Sequence, residues 1–408
     1  MIKLCDDIDC SGCTACFSAC KKGAILLEED KKGFIHPYIN QNQCIKCGMC
    51  VKACPILDTS QYLPTTQSGF ACWSKDSECR KNSSSGGLFT EIAKYVLDSK
   101  GYVVGAALGK ELHVEHIIID SIKDLHRLTG SKYVQSDTTG VYNKVEALLK
   151  SDNKPVVLFS GTPCQVDALR HVLKKEYDNL YTLDVVCHGV PSPKMWRDYI
   201  EWVSRRNKSK LVDYKFRWKK VSWTFFHSRM IFSNGKNIYN DWFRDPWLRL
   251  FLSNKGLRSS CYNCKYANMN RVADITLADF WGYQSQNKSD KKSDKGISLV
   301  ICNTQQGQRL FDGIKDKIFF FSRDISIISK SQRSLSKPWD KPQGTDSFWS
   351  DYCTHSFDKF LEIHYSVAKP CDVGAFFAKY GMPKWGLFIR WNLINRTKQF
   401  IKCLIKKI

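Results

Sequence analysis

The sequence contains no long apolar run. No stretch approaches the roughly 18 to 20 consecutive apolar residues that a membrane-spanning helix requires. Residues 1–7 do not place a basic segment before an apolar one, as a secretory signal does. We therefore expect neither a transmembrane helix nor an exported protein, and the predicted location is the cytoplasm or the inner face of the membrane.

Acidic residues are in short supply. The 40 Asp and Glu residues face 62 Lys and Arg residues, for a formal net charge of +22. Bound anionic cofactors would reduce this excess, since a 4Fe-4S core with four thiolates carries about two negative charges and a flavin dinucleotide about two more. The excess is also uneven: residues 1–62 hold seven basic and seven acidic side chains, whereas 205–236 hold ten basic side chains against Asp213 alone.

Cysteine, in contrast, is abundant. The chain has 19 cysteines and no visible export signal, a combination that is typical of proteins in reducing compartments. There, thiols bind metals or perform chemistry rather than form disulfides. The composition therefore predicts metal centres.

The 408 residues suggest two or three domains. A cysteine-rich module over 1–62 precedes an α/β region, which begins with an amphipathic helix near 87–99 and a strand at 102–106. Further buried strands are predicted at 156–159, 183–186 and 297–301, forming a mixed or parallel sheet. Residues 285–296 are predicted to be a solvated loop, and the sequence becomes irregular from about 326.

Eight cysteines in the first module form two identical quartets with C-x2-C-x2-C-x3-C spacing. They are Cys10, Cys13, Cys16 and Cys20, then Cys44, Cys47, Cys50 and Cys54. In such repeats three cysteines bind one cluster and the fourth binds the other, so we expect Cys54 to complete the first site and Cys20 the second. Structural zinc is the alternative, but zinc sites use pairs of cysteines and need no further ligands at these offsets.

This module resembles bacterial-type dicluster ferredoxin domains over residues 5–58. One departure is Lys21, which follows Cys20 where proline is usual. The resemblance implies two 4Fe-4S clusters that transfer single electrons.

Four more cysteines lie in turn-like contexts. Cys164 and Cys187 each follow a predicted strand, and Cys261 and Cys264 form a C-x2-C pair. We interpret the four as ligands of a third 4Fe-4S cluster. The alternative is that the first two are buried small apolar residues and the pair is a zinc or redox motif.

Two loops are candidate phosphate sites. Residues 83–87 (SSSGG) precede the predicted helix, where backbone amides can bind an anion, although such a run can equally be a simple helix cap. Residues 129–136 (TGSKYVQS) combine a glycine turn, hydroxyls, a lysine and an aromatic ring. That second loop predicts either a phosphate or flavin contact or a surface turn.

Five segments together resemble the beta-subunit family of coenzyme F420 (deazaflavin) hydrogenases and dehydrogenases over residues 68–320. They read SSSGGLF, GSKYVQS, FSGTPCQVDAL, DVVCHGVPSP and CYNCKYANMNRVADITLADFWG. The resemblance implies flavin adenine dinucleotide (FAD) and a 4Fe-4S cluster bound in this region. Because the family also includes reductases of chlorophyll precursors and proteins linked to polysaccharide biosynthesis, the substrate does not follow.

The resemblance also implies roles for individual residues. Cys164, Cys187, Cys261 and Cys264 are carried over as cluster ligands. The expected flavin contacts are Ser84, Ser85, Gly86, Gly87, Ser131, Lys132, Tyr133, Gln135, Gly161, Thr162, Pro163 and Gln165. Asp279 is expected to orient the flavin or a cluster loop, or to be a buried, hydrogen-bonded aspartate, and Ala278 beside it replaces an expected glycine. His188 is a candidate proton donor near the flavin or a structural histidine.

The expected fold combines α+β and α/β parts in four regions. They are the dicluster domain (1–62), the family's flavin-binding N-terminal region (66–150), its C-terminal region with the third cluster (151–325) and a helical C-terminal extension (326–408). The basic, aromatic tail at 385–408 predicts either an amphipathic helix on an anionic membrane or a helix packed on the core.

The predicted function is an iron-sulfur flavoprotein oxidoreductase. It would pass electrons between a ferredoxin-like donor, the clusters, FAD and an unidentified small-molecule substrate, with polysaccharide biosynthesis as one setting. The alternative is a non-catalytic electron-transfer subunit of a larger complex. The basic residues at 205–220, interleaved with aromatic rings, are a candidate nucleic-acid surface, but a solvated strand face is the commoner explanation, and no specific nucleic acid is expected.

Overall fold

The computed structural model describes residues 2–58, 67–219, 222–286 and 294–365, apart from the side chains of residues 330 and 331. The tail at 385–408, most of the loop at 285–296 and Lys220 of the basic cluster lie outside these ranges. Among the described residues, no helix is long and apolar enough to cross a membrane.

The amino-terminal module is built from two similar halves. Its strands β1 (Ile25–Glu29) and β2 (Ile35–Ile39) pair antiparallel, and each cysteine loop leads into a short helix, α1 (Ala15–Ala19) or α2 (Met49–Lys52). Both helices begin after a residue in the left-handed region, Thr14 with φ 59° and Gly48 with φ 72°. The internal repeat seen in the cysteine spacing is therefore also a repeat of backbone conformation.

An eight-stranded mixed sheet organises the rest of the chain. Its strands are β3 (Ser68–Ser74), β4 (Tyr102–Leu108), β5 (Val114–Ile119), β6 (Val157–Gly161), β7 (Leu180–Val185), β11 (Ile275–Asp279), β12 (Ser298–Cys302) and β13 (Ile318–Arg323). They are arranged in the order β13-β3-β12-β11-β7-β6-β4-β5. The four consecutive strands β11, β7, β6 and β4 run parallel, and all other pairings are antiparallel.

Helices cover this sheet and join it to the other parts. They are α3 (Ser77–Asn82), α4 (Leu88–Asp98), α5 (Leu125–Leu128), α6 (Val141–Lys150), α7 (Pro163–Leu173), α8 (Pro193–Asn207), α9 (Pro246–Leu252), α10 (Gln305–Asp312), α11 (Ile325–Ser331), α12 (Thr345–Thr354) and α13 (Phe357–His364). Short 3-10 helices lie at Lys110–Leu112, Ile122–Asp124, Ser259–Asn263, Lys315–Lys317 and Arg333–Leu335. Helix α4 packs on the sheet because its apolar residues, such as Leu88, Ile92 and Val96, recur at helical spacing and are buried.

A smaller antiparallel sheet contains the basic segment. Strands β8 (Leu211–Trp218), β9 (His227–Phe232) and β10 (Asn237–Asp241) pack with α8 around an aromatic core that includes Trp196, Tyr199, Tyr214 and Trp247. Buried Asp245 anchors this core, because its carboxylate accepts hydrogen bonds from Tyr199 (3.0 Å) and Tyr214 (2.7 Å).

This sheet bears on the nucleic-acid hypothesis. The tyrosine and phenylalanine that alternate with its cations, Tyr214 and Phe216, are only 2% exposed, and Arg217 and Lys219 are buried. These two rings therefore belong to the core and cannot stack on bases, while Trp218 is half-buried.

The mixed sheet agrees with the prediction, and so does a helical C-terminal extension. Predicted strands and the helix at 87–99 start and end within three residues of the observed ones. The helices α11, α12 and α13 occupy much of the described chain after residue 326, although the sequence pattern there is irregular. Their apolar residues, such as Phe348 and Phe360, pack onto the aromatic core.

Candidate redox site

The inner cysteine quartet surrounds a small cavity. Cys10, Cys13, Cys16 and Cys54 all line a space of about 20 Å³ together with Cys5, and the remaining wall is mostly apolar. The carboxy-terminal cysteine of the second repeat thus joins three cysteines of the first repeat, as the ligand set predicted from the spacing requires. Four cysteine sulfurs in a mostly apolar wall are the ligand set that a 4Fe-4S cubane requires.

The outer quartet consists of Cys20, Cys44, Cys47 and Cys50. Burial raises the pKa of Cys50, and its near neighbours Cys20 and Cys44 raise it further. Cys47 is exposed. Cys20 thus lies with the second repeat, as the crossed ligand set predicts.

The third quartet gathers cysteines from three segments of the chain. Cys164 lies in the first turn of α7, Cys187 follows β7, and Cys261 and Cys264 lie in and just after the 3-10 helix at Ser259–Asn263. Burial raises the pKa of Cys164, Cys187 and Cys261 to about 12 each, and repulsion from other thiols of the quartet adds to the shift. The sheet topology thus brings together four cysteines that are up to 100 residues apart in the sequence.

These thiols suit clusters better than disulfides. All 17 cysteines of the described residues are free. Within the same residues, no group of three or more Cys, His, Asp or Glu side chains is disposed to hold one metal ion. In a 4Fe-4S cluster each thiolate binds its own iron, so the four sulfurs do not converge on a single point.

The three quartets form a continuous series. Cys16 of the inner quartet and Cys50 of the outer quartet share one buried cluster with Cys20 packed against it. Cys13 of the inner quartet belongs to a core cluster against which Cys164 and Cys264 pack, and the Cys164 thiol acts on Cys13 electrostatically. The inner quartet therefore lies between the outer and the third.

Arg258 lies at the junction of the module and the α/β region. Its side chain is 1% exposed, and Nε donates to the carbonyl oxygen of Cys10 at 2.6 Å. Nη1 donates to Gln135 (3.2 Å) and Nη2 to the carbonyl oxygen of Ile35 (2.9 Å). Its charge also acts on Cys261 and Cys164, where it opposes the rise in thiol pKa.

A large cavity of about 630 Å³ opens next to the third quartet. This volume is in the range of about 300 to 1,000 Å³ that is usual for cofactor and small-molecule sites. Cys187 is part of its wall, and so are both candidate catalytic residues, His188 and Asp279.

Most of the expected flavin contacts line the same cavity. They are Ser84, Ser85, Gly87, Ser131, Lys132, Tyr133, Gly161, Thr162 and Gln165. The other three are placed elsewhere. Gly86 donates its amide to Ser298, Pro163 begins α7, and Gln135 donates to the carbonyl oxygen of Ser11 in the ferredoxin-like module.

The two candidate phosphate loops are joined. The amide and the hydroxyl of Ser131 both donate to the hydroxyl of Ser84, at 2.8 and 3.1 Å. Helix α4 begins after Gly87, which has φ 97° and offers no side-chain cap. The amides of its first turn thus remain available to an anion in the cavity.

Lys132 adds a cation to this end of the cavity. Its ammonium donates to the carbonyl oxygens of Arg127 (2.9 Å) and Thr129 (3.2 Å). Burial lowers the pKa of Lys132 to about 7, so its charge changes near neutral pH. Lys132 and the first residues of α4 line the same cavity.

A hydrogen-bond chain supports the cavity wall behind the loop at residues 161–165. Gln165 donates to the hydroxyl of Ser136 (2.9 Å), which donates to Nδ1 of His116 (3.0 Å). Nε2 of His116 in turn donates to the carbonyl oxygen of Ser160 (3.0 Å). Burial lowers the pKa of His116 to about 4, so this imidazole is neutral at physiological pH.

Asp279 is fully engaged. Its two carboxylate oxygens accept hydrogen bonds from Trp223 Nε1 (2.6 Å) and Arg217 Nη1 (2.9 Å). Arg217 also approaches the Tyr133 hydroxyl at 3.3 Å, and its buried Nε has no hydrogen-bond partner. The geometry favours a role in which Asp279 holds the Arg217 guanidinium at the cavity wall, while a catalytic role stays a prediction.

His188 is held from three sides. Its Nε2 donates to Asn254 Oδ1, and its ring lies 4.7 Å from that of Phe251 and 4.6 Å from that of Trp339. Burial lowers the pKa of His188, against the effect of the Asn254 bond. The Nε2 hydrogen of a neutral His188 must leave Asn254 before it can be donated to another group. The proton-donor role therefore stays a prediction.

Four residues of the site were missed from the sequence. Cys5 lies outside the repeat spacing, and His116 lies in no motif. Arg258 precedes the C-x2-C pair at 261–264 without being part of its spacing, and Arg217 was counted only among the cations of the basic segment. Alternation along β8 puts Arg217 on the same face as exposed Lys215, so no local signal in the sequence indicated its burial. The register of β8 shifts between Lys215 and Trp218, and Arg217 lies within that irregularity.

Family models match three parts of the chain. A 4Fe-4S dicluster domain matches residues 9–56. The N-terminal part of the coenzyme F420 hydrogenase/dehydrogenase beta subunit matches residues 70–142, and its C-terminal part matches residues 156–326. The chain belongs to this beta-subunit family. It is a family member with an amino-terminal 4Fe-4S dicluster domain, and the family's members are oxidoreductases.

Two curated relatives come from Methanocaldococcus jannaschii. A coenzyme F420-dependent sulfite reductase is 24% identical over 186 residues, which are 45% of this chain and 28% of that protein. An uncharacterized protein is 28% identical over 200 residues, which are 42% of this chain and 54% of that protein. The chain thus spans about a quarter of the length of the first relative and about half of the length of the second.

A solved structure is also similar. One chain of the F420-reducing [NiFe] hydrogenase complex from Methanosarcina barkeri, in a xenon-derivatized crystal, has 18% sequence identity and a TM-score of 0.42. The similarity covers 74% of this chain and 91% of that one.

Proposed function

We propose that this family member is an iron-sulfur flavoprotein oxidoreductase that passes electrons through three 4Fe-4S clusters to a substrate beside a flavin. One observation carries the proposal: the three thiol quartets are arranged in series, and the last of them contributes Cys187 to the wall of the 630 Å³ cavity. Cluster sites so arranged connect the surface of the module with a cofactor-sized space.

The proposal assigns residues to each group. Cys10, Cys13, Cys16 and Cys54 would hold the inner cluster, and Cys20, Cys44, Cys47 and Cys50 the outer one. Cys164, Cys187, Cys261 and Cys264 would hold the third cluster. For FAD, the joined loops at 84–87 and 131–133 and the start of α4 offer hydroxyls, amides and the Lys132 ammonium to phosphates.

A bound flavin supplies the conversion between single electrons and the electron pairs that an organic substrate takes or gives. The chain prepares the space for this chemistry. Tyr133 is stacked on Phe251 with ring centroids 4.2 Å apart, and Trp281 is stacked on Trp223 at 4.9 Å, so both rings have fixed positions in the wall. Asp279 positions Arg217, which is part of the cavity wall.

The choice of substrate includes the deazaflavin coenzyme F420. One curated relative is named as F420-dependent, which makes F420 a candidate substrate or electron donor here. Polysaccharide biosynthesis, which the sequence resemblance suggested, gains no support from the curated relatives and is not part of the proposal.

Anaerobic purification tests the proposal directly. We expect about twelve iron atoms, as many sulfides and one FAD per chain. In a Cys164→Ser variant we expect about eight iron atoms, with the ferredoxin-like module unchanged. Zinc in place of iron and sulfide would contradict the cluster assignment, and twelve irons without any bound flavin would leave an electron carrier in place of a flavoenzyme.

A second experiment separates an enzyme from an electron-transfer subunit. The purified chain is reduced by dithionite, freed of excess reductant and mixed with oxidised F420 under anaerobic conditions. Reoxidation of the protein with reduction of F420 supports a complete enzyme. A protein that stays reduced with F420 and every other candidate substrate until a partner subunit is added supports the subunit alternative.

A further inference from the structure

The two cysteine loops of the module have the same backbone but different surroundings. Gly12 and Lys46 occupy equivalent positions between the first two cysteines of their repeats, and both are left-handed, with φ 66° and 58°. A Cβ at Gly12 would lie 2.5 Å from Gln135 Nε2 and 2.6 Å from Arg258 Nη1. The inner loop therefore needs glycine because the α/β region packs directly against it.

The inner loop is also bound through its backbone. The carbonyl oxygens of Cys10, Ser11 and Cys13 accept hydrogen bonds from Arg258 (2.6 Å), Gln135 (3.1 Å) and Thr138 (3.0 Å), respectively. This contact connects the inner quartet to the third quartet. The inner loop is therefore the face of the module that contacts the region of the third quartet.

The equivalent face of the outer loop is open. Ile45 is 61% exposed, and Lys46 and Cys47 are exposed too. Within the described residues, no side chain of the α/β region hydrogen-bonds to the backbone of residues 44–47; the nearest polar contact from that region is a 3.9 Å approach of Lys174 Nζ to the Met49 sulfur. Because the two loops are equivalent in the repeat, the exposed surface of the outer loop corresponds to the surface of the inner loop that packs against the α/β region.

Charge is segregated between the two loops. Residues 16–27 and 40–57, which contain the outer quartet, include Lys21, Lys22, Lys46 and Lys52 and no acidic residue, whereas residues 5–10 beside the inner quartet include three aspartates. All four lysines are exposed, and none has an ion-pair partner within the described residues. The balanced charge of the module thus conceals a basic patch around the outer quartet.

We propose that this outer face, made of Ile45, Lys46, Cys47, Lys21, Lys22 and Lys52, is the docking site of a small acidic protein that carries one electron at a time. The inference rests on the proposed function, since it assumes a cluster at the outer quartet. One electron leaves the carrier, which is oxidised by one unit, and enters the outer cluster, which is reduced by one unit. No bond is formed and no proton is transferred.

The physical chemistry favours such a partner. Unpaired surface charges accelerate the encounter of oppositely charged proteins by about 10- to 1,000-fold at low ionic strength. Salt screens them over about 10 Å at 0.1 M. The exposed Ile45 supplies the apolar contact at the centre of a small, transient interface with a polar rim.

Stopped-flow electron transfer from reduced flavodoxin, an acidic one-electron carrier without iron, tests the site on the full-length holoprotein. In the test variant Lys21, Lys22, Lys46 and Lys52 are all changed to Glu. The control variant changes Lys123, Lys144, Lys208 and Lys215 to Glu; these are equally exposed, lack ion-pair partners within the described residues, and include Lys208, which shares the left-handed backbone of Lys46. Iron content and the extent of reduction by excess dithionite are measured for each protein.

We expect the second-order rate constant to fall at least about tenfold in the test variant and less than about twofold in the control. Raising the salt from 20 to 300 mM should slow the wild type by about fivefold or more, a readout that needs no variant. Equal rates for the three proteins, or a wild-type rate that is independent of salt, would overturn the docking site. A wild type without iron or dithionite-reducible absorbance would instead overturn the proposed function.

Discussion

The guanidinium of Arg258 donates to the carbonyl oxygen of Cys10 across 2.6 Å, so a buried cation ties the inner cluster loop to the α/β region. Its charge acts on both Cys10 and the thiols of the third quartet. One side chain therefore acts electrostatically on two neighbouring thiol quartets. Under the proposed function, its positive charge would favour reduction of the clusters at both quartets.

Replacing Arg258 by Met should make both clusters harder to reduce. A partly screened unit charge is worth about 1 to 2 kcal/mol at short range, and 59 mV corresponds to a tenfold change for one electron, so we expect shifts of some tens of millivolts to more negative potentials. Redox titration followed by electron paramagnetic resonance measures them. Arg258→Lys, which keeps the charge, should show a smaller shift, and unchanged potentials in the Met variant would refute the electrostatic role.

Cys5 tests which thiols belong to the inner cluster. It lies in the same small cavity as the inner quartet and forms hydrogen bonds with Cys10 and Cys54 that raise its pKa. Because its position is outside the repeat, we expect Cys5→Ser to retain about twelve iron atoms and Cys13→Ser to retain about eight. Iron and sulfide analysis of the two variants decides. The reverse result would make Cys5 a ligand.

The sequence predicted local and repetitive features best. Spacing alone predicted that Cys54 joins the first repeat and Cys20 the second, because the crossed ligand pattern is a property of the repeat itself. Strand β7 and helix α4 were placed correctly since their apolar periodicity is decided locally.

The cavity was harder to predict, because its wall is made by long-range contacts. Arg217 comes from β8, Asp279 from β11 and Trp223 from the turn between β8 and β9, and only the fold brings them together. Long-range contacts also decide the position of Gln135, which the sequence placed at the flavin. Its loop does line the cavity through Tyr133, but its own side chain points to the other side and contacts the ferredoxin-like module.

His116 should make the protein sensitive to acid. Its pKa is lowered to about 4 by burial, against about 6.5 in an unfolded chain. Between these values the unfolded state binds more protons, so stability falls as the pH drops from about 6.5 towards 4 and is unaffected above about 7. We expect the melting temperature to fall more between pH 7.5 and 5.5 in the wild type than in His116→Gln, measured anaerobically by circular dichroism. Parallel pH profiles would contradict this account.

Breaking the Arg217–Asp279 pair should weaken both stability and flavin binding. The Arg217 side chain is 3% exposed and that of Asp279 is 16% exposed, and removal of one member of a buried pair costs about 3 to 5 kcal/mol because the other charge stays buried. We expect Asp279→Asn to melt earlier and to lose flavin during gel filtration. In an Arg217→Met/Asp279→Asn double variant the stability should be partly regained, without recovery of flavin binding. If the double variant binds flavin normally, Arg217 has no role towards the cofactor.

Lys132 should make flavin affinity depend on pH. Burial lowers its pKa to about 7, so the ammonium is charged at pH 6 and largely neutral at pH 8.5, and a phosphate beside it would shift this change to a higher pH. A charged lysine near the uncapped start of α4 attracts an anion, and its loss near neutral pH removes that attraction. We expect the wild type to bind FAD about tenfold more weakly at pH 8.5 than at pH 6, an effect of about 1.4 kcal/mol, and Lys132→Met to bind weakly at both.

Lys144→Met, which changes an exposed lysine on α6, serves as the control and should follow the wild type. Fluorescence quenching on adding FAD to flavin-depleted protein measures each affinity, and a wild-type affinity that does not change with pH would show that Lys132 does not contact the phosphates.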